Sequence, residues 1–123
     1  MHNFKELVVW QKSHAFVLEI YTTTRKFPKE EVFGITNQLR RASVSIEANI
    51  AEGAGRSTPN DFMRFIDMSN GSSFEVETLL LLCKDLAYLS EEENEQLLHK
   101  LDEIQKMLYK LREHLLQKTK EKK

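Results

Sequence analysis

The chain has 123 residues, of which 41% are hydrophobic and 30% are charged, and its formal net charge is −1. This length fits a single domain that needs no disulfide or metal staple, and no apolar run approaches the roughly 20 residues that span a bilayer. Residues 1–64 carry nine Lys/Arg against seven Asp/Glu, and residues 65–123 carry nine against twelve, an asymmetry too mild to indicate a dedicated nucleic-acid protein.

The low content of glycine and proline, four and two residues in the whole chain, favours long helices. The first predicted helix covers about residues 8–26 and stops at Pro28. The second predicted helix covers about residues 35–52, with Gly53 and Gly55 as predicted C-terminal caps. Each helix has one apolar stripe at alternating three- and four-residue steps, the pattern of an amphipathic bundle helix.

The third predicted helix covers about residues 59–88. Thr58 is its predicted N-cap, and Gly71 in its interior costs up to ~1 kcal/mol relative to alanine, so we expect close packing there. The fourth predicted helix covers about residues 91–117 and opens with a capping box that begins at Ser90. We expect the lysine-rich tail that follows it to fray.

Short connections join these helices, and short connections make sequential helices antiparallel. The predicted fold is therefore all-α, an up-down-up-down four-helix bundle formed by one domain over residues 1–123. Because the apolar seams have a 3.5-residue spacing, we expect shallow crossing angles between the helices.

Two of the helices carry apolar side chains outside their core stripes. An exposed apolar stripe of this size usually marks an interface, so we expect homo-oligomerisation through the second and third helices. The alternative is that these side chains lie at helix–helix boundaries within a rotated bundle. The predicted interface residues are Met63, Phe74, Leu81 and Tyr88 on the third helix and Val44, Ala48 and Ala51 on the second.

The single cysteine, Cys83, follows four consecutive leucines and cannot form an internal disulfide. We expect it to be a small buried hydrophobe in a reducing compartment. The first six residues contain no basic region leading into an apolar stretch, so no secretory signal is predicted. These features predict a cytoplasmic protein.

The same helices carry segments that resemble a known family. The run Gln38–Gly53, QLRRASVSIEANIAEG, resembles the pattern QxRRAxxSIxxNIAEG. Further segments that match are Leu7–Lys12 (LxVWQ), Phe27–Pro28 (FP), Phe62–Ile66 and Gly71–Glu75. Over nearly its whole length the chain is similar to the bacterial four-helix-bundle family first known from reading frames in intervening sequences of 23S ribosomal RNA genes.

The resemblance implies an antiparallel four-helix bundle, a ring-like homopentamer and no enzymatic activity. More distant relatives are accessory proteins of diversity-generating retroelements, which are basic and assist a reverse transcriptase and its RNA. This chain departs from that group in its acidic second half and its near-zero net charge. The departure weakens the transfer of RNA binding to this chain.

Metal and catalytic sites are not predicted. A ferritin-like di-iron site needs a carboxylate three residues before a histidine, whereas this chain has glutamine or leucine at that position before His14, His99 and His114. A lone cysteine cannot build a thiolate zinc site, and the histidines have no evident orienting partner for nucleophilic catalysis. We therefore predict no metal, no cofactor, no small-molecule substrate and no enzymatic activity.

A modest basic patch is the remaining candidate for a ligand contact, and it consists of Arg40, Arg41, Arg56 and Arg64. Repetition around a ring would make weak phosphate contacts multivalent. The alternative is that these arginines form salt bridges with nearby carboxylates. The leading hypothesis is a non-enzymatic homo-oligomeric scaffold with RNA or a nucleoprotein as candidate partner; the alternative is a protein–protein adaptor that does not bind nucleic acid.

Overall fold

The computed structural model describes residues 3–121, and the described residues form helices and turns with no strand. The four α-helices are α1 (Val8–Thr24), α2 (Ile35–Ala54), α3 (Pro59–Asp85) and α4 (Glu91–Glu121). Two short 3₁₀ turns, Phe4–Glu6 and Lys29–Glu31, precede α1 and α2. The all-α fold class predicted from the sequence is confirmed.

Hydrogen bonds between neighbouring helices show their relative direction. The Ser69 hydroxyl of α3 donates to the Ile46 carbonyl of α2 at 2.8 Å, and Ser72, later in α3, meets Ser45, earlier in α2, at 2.8 Å. The other neighbouring helices show the same reversal. Helices α3 and α4 are joined by Asp67–Arg112 and Glu77–Gln105, and α1 and α2 by His14–Glu47 and Thr24–Arg40. The pairs Glu19–Lys100 and Lys26–Glu93 join α1, or the turn directly after it, to α4. Neighbouring helices therefore run in opposite directions, and α1 closes the bundle against α4.

The predicted apolar stripes fill the interior of the bundle. The most deeply buried side chains come from all four helices and include Phe16, Ile20, Leu39, Ile46, Ile50, Ile66, Val76, Leu80, Leu101, Ile104 and Leu108. Each large side chain contributes roughly 1.5–3 kcal/mol when it leaves water. Buried serines lie among them, and their hydroxyls bond to backbone carbonyls, as Ser13 does to Val9 at 2.7 Å, so these hydroxyls are not left unpaired.

Both predicted helix starts are confirmed. The Thr58 hydroxyl accepts a hydrogen bond from the Asp61 amide at 3.1 Å at the start of α3. At the start of α4, the Ser90 amide donates to the Glu93 carboxylate at 3.0 Å, and the Glu93 amide donates to the Ser90 hydroxyl at 3.1 Å. Local side chains thus satisfy amide groups that the helices themselves leave free.

Helix α3 ends earlier than predicted. The apolar pattern continues to Tyr88, but the helix stops at Asp85. Ala87 adopts a left-handed backbone conformation with φ of 63°, and the Tyr88 amide turns back to the Cys83 carbonyl at 2.9 Å. A left-handed residue ends a helix whatever its apolar pattern, and glycine is the residue usually found there.

The other helix ends also differ from the sequence prediction. Helix α1 stops at Thr24, and α2 continues to Ala54. Helix α4 continues to Glu121, so residues 118–121 are helical although the predicted helix ends at about residue 117. Leu115 is buried close to that end, so the last turns of α4 still pack against the bundle.

The prediction that Gly53 caps α2 is wrong, because Gly53 lies inside the helix and faces α3. A Cβ atom at this position would lie 2.8 Å from Cδ1 of Phe62 and 2.8 Å from Cβ of Phe65. Glycine therefore allows the close approach of α2 and α3. The residue that ends α2 is Gly55, with a right-handed φ of −84°.

Gly71 has no comparable neighbour. It is exposed within α3, and none of the described residues has a contact within 4 Å of a Cβ atom built there. The close packing predicted at Gly71 is therefore not found within one chain.

Alanine substitutions distinguish these two glycines. Gly53→Ala should lower the free energy of unfolding by about 1–3 kcal/mol, because its methyl group overpacks the α2–α3 contact. Gly71→Ala is the matched control, and it should raise the free energy of unfolding by up to about 1 kcal/mol because alanine favours the helix and the site is open. Urea unfolding followed by circular dichroism measures both values. Equal effects of the two substitutions would contradict the close approach at Gly53.

Candidate functional site

Two large apolar side chains of α3 are exposed along one stripe. Phe74 is 55% exposed and Leu81 is 45% exposed, and they lie seven positions apart, so they share one side of the helix. Asp67 begins the same stripe and accepts a hydrogen bond from Arg112 of α4 at 2.7 Å. Phe74 and Leu81 therefore form an outward surface along the edge of α3 that borders α4, which we name the α3/α4 surface.

The other two residues predicted for this stripe are partly enclosed by their own chain. Met63 is half-buried against the core. Tyr88 lies beyond the end of α3, with its ring 5.6 Å from the Phe27 ring. Its hydroxyl donates to the Glu31 carboxylate at 2.8 Å, and this hydrogen bond raises the pKa of Tyr88. Met63 and Tyr88 thus contribute to packing within one chain.

The predicted interface residues of α2 lie on a different side of the bundle. Val44 is 38% exposed, Ala48 is exposed and Ala51 is half-buried. Val44 lies one turn from Arg40 and one turn from Glu47, and both of these residues contact α1. This flank of α2 therefore borders α1.

Leu18 of α1 extends this flank, and the sequence analysis missed it. Leu18 is 59% exposed, and the contact between His14 and Glu47 sets a register that places Leu18 across from Val44. The sequence contains one signal for this role, because Leu18 is a large apolar residue outside the buried stripe of α1. We name Leu18, Val44 and Ala48 the α1/α2 surface.

The predicted interface residues therefore lie on two separate surfaces. Among the described residues, the backbone of each helix lies close to its neighbours in chain order and α1 lies close to α4, whereas α1 and α3, and α2 and α4, have no close backbone approach. In such an arrangement, the α1–α2 side and the α3–α4 side of the bundle lie opposite each other. One copy of the chain presents apolar side chains in two opposite directions.

Two of the arginines predicted to bind phosphate are paired with carboxylates. Arg64 binds Asp61 at 3.0 Å, and Arg56 binds Glu52 at 3.2 Å. Both guanidinium groups also lie over the Phe65 ring, at 4.5 Å for Arg64 and 4.6 Å for Arg56. Their positive charge is largely balanced in place, as the salt-bridge alternative predicts.

The remaining two arginines lie near the start of α2. Arg40 donates from Nε to the Thr24 hydroxyl at 2.8 Å, and its guanidinium lies 4.6 Å from the centre of the Tyr21 ring. Arg41 is exposed, and no carboxylate within residues 3–121 pairs with it. Because α-helices rise 1.5 Å per residue, Arg41 lies roughly 20 Å from the end of α2 at Ala54, and Arg56 follows that end. The four arginines therefore do not form one patch.

The described residues offer little for nucleophilic or metal chemistry. Cys83 is fully buried, and burial, helped by the charge of Glu31, raises its pKa to about 11. His14 is paired with Glu47 at 2.8 Å. No group of three or more His, Cys, Asp or Glu side chains in residues 3–121 is arranged to hold a metal ion. Across that same range, every helix is too short or too polar to span a membrane.

A family model matches residues 5–110 of the chain, and its family is the 23S rRNA-intervening sequence proteins. The chain belongs to this family. The match covers α1, α2, α3 and most of α4, so it includes both surfaces and all four arginines. No curated protein matches this member of the 23S rRNA-intervening sequence family.

This 23S rRNA-intervening sequence protein is also similar to a solved structure. That structure is a protein with unknown function from the S23 ribosomal protein family of Bacteroides thetaiotaomicron. The two chains are 27% identical with a TM-score of 0.80, and the alignment covers 86% of this chain and 96% of the other. The likeness agrees with the all-α fold and with the family shown by the model match.

The burial of Cys83 makes a direct prediction about thiol reactivity. At pH 8 a thiol with a pKa of about 11 is about one part in a thousand thiolate, so the folded protein should react far more slowly with an aromatic disulfide reagent than a free thiol does. In denaturant the full equivalent of one thiol should react. Rapid reaction of the folded protein would contradict the buried placement of Cys83.

Proposed function

We propose that this protein is a non-enzymatic, self-assembling scaffold in which copies cover one another's apolar surfaces. The observation that supports the proposal is the presence of the α1/α2 surface and the α3/α4 surface on opposite sides of one bundle. Exposed apolar groups of this kind usually mark an interface. A second copy is the simplest partner, because each copy carries both surfaces.

The placement of the two surfaces favours a ring. When an interface joins two different surfaces, each added copy leaves one surface open, and the chain of copies closes into a ring if the rotation permits. Full burial of a large apolar side chain contributes roughly 1.5–3 kcal/mol. Because Leu18, Val44, Phe74 and Leu81 are 38–59% exposed, each contributes about half of that before the costs of association are subtracted. This proposal agrees with the homopentamer implied by the family resemblance.

Placing charge on either surface should prevent assembly. Phe74→Glu with Leu81→Glu removes the α3/α4 surface, and Leu18→Glu with Val44→Glu removes the α1/α2 surface. Multi-angle light scattering should report an oligomer for the wild type and the mass of one chain for both variants. The control is Val8→Glu with Met68→Glu, which changes equally exposed residues outside both surfaces and should leave the oligomer intact.

Mixing the two variants tests whether different surfaces meet. Each variant retains one intact surface, and the two intact surfaces are complementary, so an equimolar mixture should form a dimer that contains one copy of each. A variant that remains oligomeric by itself would mean that one surface pairs with its own kind. An unchanged mass for both variants would remove the scaffold proposal.

RNA is the partner that a second observation favours. Phe33 is 92% exposed at the turn before α2, and it lines a groove of about 500 Å³ together with Asn37, Gln38 and Arg41 of α2 and Glu75 of α3, which forms no ion pair with Arg41. An exposed aromatic ring beside an unpaired arginine suits base stacking and a phosphate contact on single-stranded nucleic acid. A ring would repeat this groove around its axis, so that weak contacts add.

A mobility-shift assay separates the RNA scaffold from the protein adaptor. A single-stranded RNA should bind at low salt and release as salt increases, and Phe33→Ala with Arg41→Gln should weaken it by about tenfold or more. Arg64→Gln is the control, because its charge is already paired with Asp61. Absence of binding at low salt would leave the adaptor, with a protein as the partner of the assembled bundle.

A further inference from the structure

A pocket of about 460 Å³ lies where the end of α1, the turn after it and the start of α2 meet. Three of its lining residues, Arg25, Lys29 and Arg40, are positively charged, and none of its lining residues is acidic. Within residues 3–121 these three cations have no carboxylate within ion-pair distance. The pocket therefore has a net positive lining without a counter-charge of its own.

A buried hydroxyl in the same lining has no partner. Thr36 is only 4% exposed, and its Oγ1 atom has no hydrogen bond to any described residue. A buried hydroxyl without a partner costs stability, and such groups in a native structure call for an explanation. A bound ligand would explain it, because the Thr36 hydroxyl could donate a hydrogen bond to the ligand after rotation of the Thr36 side chain.

The start of α2 adds to the positive potential of the pocket. Thr36 lies in the first turn of this helix, where backbone amides lack partners within the helix, and that turn carries no acidic residue. The Ile35 amide donates to the Glu31 carboxylate at 3.4 Å, and the other oxygen of that carboxylate accepts from the Tyr88 hydroxyl at 2.8 Å, so Glu31 does not line the pocket and is held by other partners. A long helix that begins beside three cations favours an anion with several oxygen atoms.

We propose that this pocket binds the phosphate group of a phosphomonoester. Arg40 is the best-placed contact, because its bond to the Thr24 hydroxyl and its stacking on Tyr21 hold the guanidinium in one orientation. The pocket is larger than a phosphate ion, and Phe27 and Val32 provide an apolar wall for the rest of the ligand. A nucleoside-sized group fits this combination of a cationic lining and an apolar wall. The site lies within one chain, so it does not depend on assembly.

Binding can be measured by calorimetry and by amide chemical shifts at low ionic strength. Inorganic phosphate and adenosine 5′-monophosphate should both bind saturably and shift the amides at the start of α2, whereas adenosine should not. Arg25→Gln with Lys29→Gln should weaken binding by about tenfold or more, since it removes two of the three charges. Lys5→Gln with Lys12→Gln is the charge-matched control at the opposite end of α1, and it should leave the affinity unchanged.

Thr36→Val separates a ligand contact from a purely structural role. It removes the unpaired hydroxyl while keeping the shape, so it should raise the Tm of the ligand-free protein and weaken phosphate binding. A raised Tm with unchanged affinity would overturn the role of Thr36. Lack of saturable binding by both phosphate probes, equal binding of adenosine, or equal effects of the two glutamine pairs would overturn the site.

A further comparison identifies the source of the phosphate. A short RNA with a 5′-phosphate and the same RNA with a 5′-hydroxyl differ only in the phosphomonoester. Preferential binding of the phosphorylated RNA supports the site with an RNA end as its ligand. Binding of the mononucleotide alone supports the site with a free nucleotide as its ligand.

Discussion

The close approach of α2 and α3 is the contact on which the rest of the structure depends. Gly53 leaves room for Phe62 and Phe65 against the α2 backbone. Two helical turns earlier in α2, the Ile46 carbonyl accepts a hydrogen bond from the Ser69 hydroxyl of α3. These contacts fix the rotation of both helices about their axes. Once that rotation is set, Val44 must face outward beside α1 and Phe74 must face outward beside α4, so the two apolar surfaces follow from the packing.

The interior of this bundle can be predicted from the sequence because it depends on residues that are close together in the chain. Core stripes follow from the spacing of apolar residues, and the caps at Thr58 and Ser90 follow from side chains within one turn. The end of α3 cannot be predicted in this way, because Ala87 adopts a left-handed conformation that is usually found at glycine. The role of Gly53 cannot be predicted either, because a glycine near a helix end has the pattern of a cap as long as its packing partners on α3 are unknown.

The two apolar surfaces can be predicted only in part from the sequence. Periodicity gives the angle of a side chain about its own helix, but it does not say which helix lies on each side. For that reason the sequence predicts both Val44 and Phe74 as interface residues but does not show that they lie on opposite sides of the bundle. The pairing of Arg64 with Asp61 is visible in their three-residue spacing. The pocket of Arg25, Lys29 and Arg40 combines separate segments, so the sequence did not reveal it.

The central claim is that two opposite surfaces of identical chains meet, and a disulfide between copies tests it most directly. A chain with Val44→Cys and Phe74→Cys carries one new thiol on each surface, while Cys83 stays buried. Within one copy the two new thiols lie on opposite sides and cannot pair. Under mild oxidation the account predicts covalent oligomers larger than dimers for this double variant, and monomers for Val44→Cys or Phe74→Cys alone, on a denaturing gel. A double variant that stays monomeric, or a single variant that forms disulfide dimers, would contradict it.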